Sequence, residues 1–420
     1  MDSKISGFYK LDPKERRRVL KDRAGLTDED MELLENFGAL SEKNADDMIE
    51  NVVSNYELPL GIATNLKVNG KDYLVPMAVE ETSVVAACSY AAKLARENGG
   101  VEAETTKPEM IGQIQVNGVD KFEEFRKTIM ENEERLIKEA NAADETLVKL
   151  GGGARDIEVR DIDKEGTAVV HVIVDVRDAM GANAVNTMCE TIAPTIEDLT
   201  NTKTNLRILS NLSDRRLAEA EVSFGFETLQ KEKMGGRQVA EAIVGAYEFA
   251  VADPYRAATH NKGVMNGMDA VCTATGNDSR ALETGVHAYA AKNGYGPVTK
   301  WWIEGEKLRG SIEVPVAVGT VGGITSLHPT AELSLKILDV DSSEELAQVM
   351  ASVGLLQNFA ALRALVTEGI QEGHMKLHAK NIAKQAGAEG KEVDKVAERM
   401  AEEDRISQDT AEDILKKIRM

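Results

Sequence analysis

A chain of 420 residues, 42% hydrophobic and 29% charged, is long enough for two or three domains and too apolar to stay disordered. Lys and Arg total 50 against 71 Asp and Glu, a net charge of −21, which argues against a nucleic-acid partner, because such affinity rests on neutralising phosphates. Only 4% of the residues are aromatic, so the expected core is aliphatic. Cys88, Cys189 and Cys272 lie far apart, which fits neither a disulfide framework nor a cysteine zinc site and points to a reducing, cytoplasmic location. The N-terminus MDSKISGFYKLDPKERRRVL is charged and lacks an apolar leader. No uncharged apolar run is read as approaching the roughly 18 residues of a membrane span, so no membrane partner is expected.

In chain order, the first fifty residues read as helices. Thr27 caps one of them with Asp30 three residues on, Leu33, Leu34 and Phe37 follow at helical spacing, and Gly38 ends it. From Leu58 two β-like runs, IATNLKV and DYLVPMAVE, flank Asn69-Gly70 as a hairpin turn. The second run delivers Glu80 and Glu81, and Thr82-Ser83 opens an Ala-rich helix closed by Asn98-Gly99-Gly100. Near Pro108 a second unit begins: a strand at IGQIQV, a charged helix from about Lys121 to Ala143, and strands at ARDIEVRDID and TAVVHVIVDV. DAMGAN then leads into a helix striped by Val185, Met188, Ile192 and Ile196, and LRILSNLSDRRLAEAEVSF returns the chain to the larger unit. Beyond Gly235 the reading is mostly helical, with glycine-rich connections at ATHNKGVMNG, TATGND and VGTVGGIT, and three terminal helices broken at Gly387 and Gly390.

There is no GxGxxG and no GxxxxGK[ST], so a standard dinucleotide fold is unsupported. The turn Asp178-Ala179-Met180-Gly181-Ala182-Asn183 offers another way to hold a pyrophosphate: Gly181 permits close backbone approach and the following helix presents free N–H groups. An ordinary strand-to-helix turn has the same pattern. Lys262, in a stretch read as a loop, is either a solvated surface lysine or a fixed cation for an oxyanion. Asp278 before a helix reads as an N-cap, and Glu80-Glu81 as a solvated pair or a proton donor. His374 and His378 have zinc spacing at i, i+4, but Met375 and Lys376 occupy the HExxH interior and no third ligand is near, so no metal is expected.

Together these segments resemble the class II 3-hydroxy-3-methylglutaryl-coenzyme A (HMG-CoA) reductases over nearly the whole chain, from GALSEKNADDMIENV and ELPLGIATNLKVNGKDYLVPMAVEE through DVRDAMGANAVNTM and DPYRAATHNKGVMNGMDA to ATGND and EGIQEGHMKLHAKNIA. The pattern from His171 through Asp178-x-Met180-Gly181-x-Asn183-x-Val185 is the specific one. Ile324, where a smaller residue is usual, and Glu372, where a basic or amide residue is usual, depart from the family pattern without touching a catalytic position.

The resemblance implies reduction of HMG-CoA by two nicotinamide dinucleotides to mevalonate and coenzyme A. Lys262 would stabilise the oxyanion, Glu81 would assist proton transfer, His374 would protonate the departing thiolate, and Asp278 would hydrogen-bond within the Lys262–Glu81 cluster. Ser83, Arg256, Asn266 and His378 match substrate positions. Asp178, Met180, Gly181, Ala182, Asn183 and Asn211 match the cofactor pocket. Asp144 matches a ribose-contacting acid, which implies NADH in preference to NADPH, since a carboxylate repels a 2′-phosphate.

The implied fold is α+β: a large, mainly helical substrate domain (1–107 and 213–373), an inserted ferredoxin-like small cofactor domain (108–212) and a C-terminal helical flap (374–420). Family members are dimers with shared active sites, and ENVVSNYELP is expected at the interface. The alternatives are the same enzyme oxidising mevalonate, or a non-catalytic acyl-coenzyme A binder of the same fold. With both ligands anionic, Lys262, Arg256 and a helix N-terminus are expected to make a positive pocket within an acidic body.

Overall fold

The computed structural model describes all residues except 37–39, 164–165, 232, 368–378, 404 and 420. Phe37, Gly38, Glu372, His374 and His378 therefore lie outside the described residues. The N-terminal helices start where sequence chemistry places them. Asp12 and Glu15 form a reciprocal capping box for α1 (Pro13–Ala24), and Thr27 and Asp30 do so for α2 (Asp28–Glu35). A short α3 (Glu42–Met48) follows.

Strands β1 (Leu60–Val68) and β2 (Lys71–Ala78) form the expected hairpin, with Asn69 and Gly70 both at positive φ as a primed turn requires. Helix α4 (Val84–Arg96) packs on β1 and leads to β3 (Val101–Thr105). The chain next builds a separate four-stranded antiparallel sheet in the order β5-β6-β4-β7 from β4 (Glu109–Asn117), β5 (Gly153–Asp163), β6 (Thr167–Asp175) and β7 (Lys203–Leu209). Its helices are α5 (Phe122–Glu131), α6 (Glu133–Ala142), the short α7 (Glu145–Lys149) and α8 (Ala182–Thr200), a β-α-β-β-α-β order with its own buried aliphatic cluster. The single charged helix expected from Lys121 to Ala143 is two. Asn132 leaves helical geometry at φ −111° and ψ 10°, and its amide donates to the Thr128 carbonyl at 2.9 Å, so a side chain competes with the helix ladder.

Strand β8 (Leu217–Gly225) rejoins the first sheet, whose order is β2-β1-β3-β8-β10-β9. Strands β9 (Thr299–Glu304) and β10 (Lys307–Pro315) lie where the sequence reading expects helix. They are stable because β10 pairs along the whole of β8, a partner remote in sequence.

Short α9 (Phe226–Leu229), α10 (Gly236–Ala252), α11 (Pro254–Ala274), α12 (Ser279–Ala290), α13 (Pro329–Leu338) and α14 (Ser343–Thr367) complete the large unit. Residues 379–419 carry a small third core around Ala383, Val396, Met400 and Ile414. At 25 residues and a mean hydropathy of 1.5, α14 is, among the described helices, the one apolar enough by length and composition to cross a membrane, which the sequence reading did not allow for. It runs through the core instead, with Val349, Val353, Leu356 and Phe359 fully buried. Phe359 stacks on Phe224 with ring centroids 3.8 Å apart and meets Trp301 at 5.8 Å.

Phe359→Ala should therefore cost about 3–5 kcal/mol in denaturant unfolding. A loss below about 1 kcal/mol would contradict a close-packed ring at this point.

Candidate active site

The HNKGVMNG stretch is helical, not a loop: Lys262 lies in the middle of α11. Its second glycine serves packing. A Cβ at Gly267 would stand 3.0 Å from side-chain atoms of Gln357 and Val353, so glycine lets α11 approach α14 closely, whereas a Cβ at Gly263 would meet Ala361 at an ordinary 3.8 Å. His260 and Asn261 are polar yet buried, and each is tied to a distant segment, although His260 Nδ1 has no partner among the described residues. His260 Nε2 meets Thr299 Oγ1 at 2.6 Å, and the Asn261 amide donates to the Gly296 carbonyl at 2.9 Å. Burial, with Arg256 nearby, pushes His260 down to about 4, so it stays neutral at physiological pH.

With that side buried, the opposite side of α11 turns Lys262 outward to the end of β2. Lys262 Nζ donates to Glu81 Oε2 at 3.2 Å, with the two side chains 61% and 37% exposed. An ion pair this wet contributes about 0–1 kcal/mol, so it positions two reactive groups without locking them. Two residues on, Ser83 holds φ +79°, a left-handed conformation that costs a side chain strain, and its hydroxyl is buried with no hydrogen-bond partner among the described residues. Strain and an orphaned hydroxyl at one position mark a place prepared for a ligand.

Asn266 lies one turn after Lys262 on the same side of α11. Arg256 sits in the first turn of α11, about 9 Å along the axis from Lys262, with no carboxylate partner among the described residues. Asp278 is an N-cap, as its place before a helix indicates. Its Oδ1 accepts from the N–H groups of Arg280 and Ala281 at 3.0 and 3.1 Å and from Arg280 Nε at 3.4 Å, so it caps α12, and no bond among the described residues reaches Lys262 or Glu81. The acid on the lysine's own side is Asp269, which faces Glu283 of α12. Burial and the second carboxylate hold Asp269 well above the usual carboxylate range. Sequence reasoning passed over it because the partner arises only when α12 folds back on α11.

The turn 178–183 leads from β6 into α8. Gly181 has φ +96°, and a Cβ there would fall 2.4 Å from Val176 Cγ1, so only glycine fits. It is the N-cap of the 19-residue α8 and offers no capping side chain. Ala182 and Asn183 open the first turn with N–H groups that have no partner among the described residues, an arrangement that fits a dinucleotide pyrophosphate. The Asp178 side chain is already engaged, accepting from the Ser343 N–H at 2.8 Å. Asp144 caps α7 through the Leu147 N–H at 2.9 Å. Asn211 is exposed in the connection between the two sheets. His171 is buried in β6 beside Gln113 at 3.0 Å and pushed down to about 4 by burial and by Arg160. Among the described residues no group of three or more His, Cys, Asp or Glu side chains is placed to hold a metal.

Comparison with known proteins identifies the family. A family profile described as hydroxymethylglutaryl-coenzyme A reductase matches residues 12–379. The 3-hydroxy-3-methylglutaryl-coenzyme A reductase of Archaeoglobus fulgidus is 52% identical, with all of this chain and 95% of that protein covered. A probable reductase of the same name from Borreliella burgdorferi is 37% identical over 89% of this chain and 87% of its own length. The reductase structure from Streptococcus pneumoniae superposes at a TM-score of 0.85 with 42% identity, covering 98% of this chain and 99% of its own. The class II enzyme of that organism bound to NADPH in open conformations gives 0.83 at the same identity, covering 98% and 100%. Residue pattern, two-sheet architecture and relatives converge, and the chain belongs to the hydroxymethylglutaryl-coenzyme A reductase family of oxidoreductases.

Proposed function

We propose that the face of α11 opposite α14, with the β2–α4 junction, reduces HMG-CoA to mevalonate and coenzyme A, and that residues 178–183 hold the nicotinamide dinucleotide. The observation that carries this reading is the Lys262–Glu81 contact at 3.2 Å beside the strained, unpartnered Ser83. A bound reduced nicotinamide supplies hydride, once for the thioester and once for the aldehyde. Lys262 then faces the oxygen on which negative charge gathers, and Glu81, within reach of the same ammonium, relays the proton that the oxygen finally takes. Arg256, without a carboxylate partner among the described residues, is free to clamp the substrate carboxylate, and Ser83 and Asn266 complete the pocket. Asp278 caps α12, and its part in the Lys262–Glu81 cluster rests on the family resemblance. Protonation of the coenzyme A thiolate by His374, substrate contact by His378 and closure of a flap from 374 onward rest on the family resemblance. The same groups serve mevalonate oxidation, because each proton transfer is reversible.

The reading divides the chain into a discontinuous substrate domain (1–107 and 213–373) and an inserted cofactor domain (108–212), and places the enzyme in the cytoplasm, in keeping with three buried free cysteines. It also makes the enzyme a homodimer. Val53 and Tyr56, 97% and 91% exposed in a segment without regular structure, are apolar surface for a second copy. The cofactor is NADH in preference to NADPH. One Asp144 oxygen is held by the cap, and the carboxylate charge remains to accept from a ribose 2′-hydroxyl and repel a 2′-phosphate.

Reduced-nicotinamide absorbance should fall on addition of HMG-CoA, and Lys262→Ala should lower kcat by roughly 10²–10³-fold with the far-ultraviolet circular dichroism unchanged. Full turnover in that variant would remove Lys262 from the chemistry. The ratio of kcat/KM values should favour NADH, and a tenfold preference for NADPH would overturn the role given to Asp144. Sedimentation velocity should return at least twice the chain mass, and an active monomer would refute the dimer.

A further inference from the structure

Arg216, immediately before β8, is only 5% exposed. Its Nη1 donates to the carbonyls of Ala179 and Met180 at 3.1 and 3.3 Å, and its Nη2 to the Val318 carbonyl at 2.5 Å and the Ser343 hydroxyl at 3.1 Å. A buried guanidinium is costly unless its donors are satisfied, and here they are satisfied by backbone carbonyls and a hydroxyl. No carboxylate among the described residues bonds it. Burial pushes it down to about 10, so it stays charged at neutral pH, with Glu344, Asp178 and Asp175 acting on it from farther off.

The surrounding contacts converge on the same turn. The Ser343 N–H donates to Asp178 Oδ1 at 2.8 Å and its hydroxyl to the Arg177 carbonyl at 3.0 Å. The Thr320 N–H donates to the Asp178 carbonyl at 2.9 Å, and a Cβ at Gly319 would lie 2.7 Å from the Met180 nitrogen. In a trans peptide the C=O and the next N–H point in opposite directions. Carbonyls of Ala179 and Met180 drawn onto Arg216 therefore turn the N–H groups of Met180 and Gly181 away from it, and neither has a partner among the described residues.

We infer that Arg216 is a positioning residue of the reductase: it orients the peptide groups of 179–181 as an anion-binding nest for the dinucleotide phosphates, and it fastens that turn to the 316–320 loop and the start of α14. The inference rests on the assignment of 178–183 to the cofactor. It also shows how a chain of net charge −21 receives an anionic ligand: a buried cation stands behind a nest of N–H groups where solvent does not screen it.

Three variants test this, each read by direct titration of NADH and NADPH, by KM for HMG-CoA, and by thermal unfolding. Asn183→Asp adds a negative charge in the first turn of α8 and should weaken dinucleotide binding at least tenfold if the turn is the cofactor site. Arg216→Lys keeps the charge but loses the planar fork, and should weaken it at least tenfold. Ser343→Ala, with the buried charge intact, should weaken it three- to tenfold. In all three, KM for HMG-CoA should stay within twofold, a split that general destabilisation would not give. If Asn183→Asp weakens binding while Arg216→Lys and Ser343→Ala bind within twofold of the parent, the role of Arg216 is overturned and the site stands. Should Arg216→Lys not fold, Ser343→Ala decides alone. Unchanged binding in Asn183→Asp removes the site and the inference with it.

Discussion

The close approach of α11 to α14 sets the geometry on which the candidate site depends. Gly267 presents no side chain toward α14, and Gly354 of α14 returns the favour, since a Cβ there would stand 2.8 Å from Met268. Packing at this distance leaves no room for α11 to rotate. Buried polar groups then fix its rotation. Asn358 accepts from Thr299 at 3.0 Å and from the Trp301 indole at 2.9 Å, while Thr299 meets His260 at 2.6 Å. An α11 turned by one residue would strand His260 and Asn261, which bond Thr299 and the Gly296 carbonyl, at about 1–3 kcal/mol each. Lys262 is therefore delivered to the end of β2 by what happens on the far side of its helix.

The arrangement separates stability from reactivity. The α11–α14 face is dry and interdigitated around Phe224, Phe359 and Trp301. Lys262 and Glu81 meet at the wet edge, where their attraction is small and they remain free to adjust to a ligand. Ser83 shows the converse, a buried and strained hydroxyl held in place by the strand before it and the helix after it. The 178–183 turn, too short to hold its own shape, is held by Arg216, Ser343 and Gly319, all from outside the four-stranded sheet.

What was legible in the sequence follows from the range of the forces involved. The cap at Thr27, the Asn69-Gly70 hairpin and the glycine at 181 depend on residues a few positions apart, so spacing reveals them. The family pattern pointed to Lys262, Glu81, Ser83 and the 178–183 turn before any contact was known. Polar and glycine-rich composition around Lys262 resembled a loop because the partners that bury His260 and Asn261 come from β9, α14 and the 295–296 turn. Strands β9 and β10 were hidden for the same reason, since the ladder that stabilises them belongs to β8.

The sequence by itself determined the class of fold, the residue types available for hydride and proton chemistry, and local stops and starts, all of which are short-range or compositional properties. Tertiary structure alone decided that Asp269 meets Glu283, and that Arg216 reaches 36 residues back to Met180 and 127 forward to Ser343. Burial of a charge and the sharing of a proton between carboxylates depend on which surfaces exclude water together. That is settled only when distant segments pack.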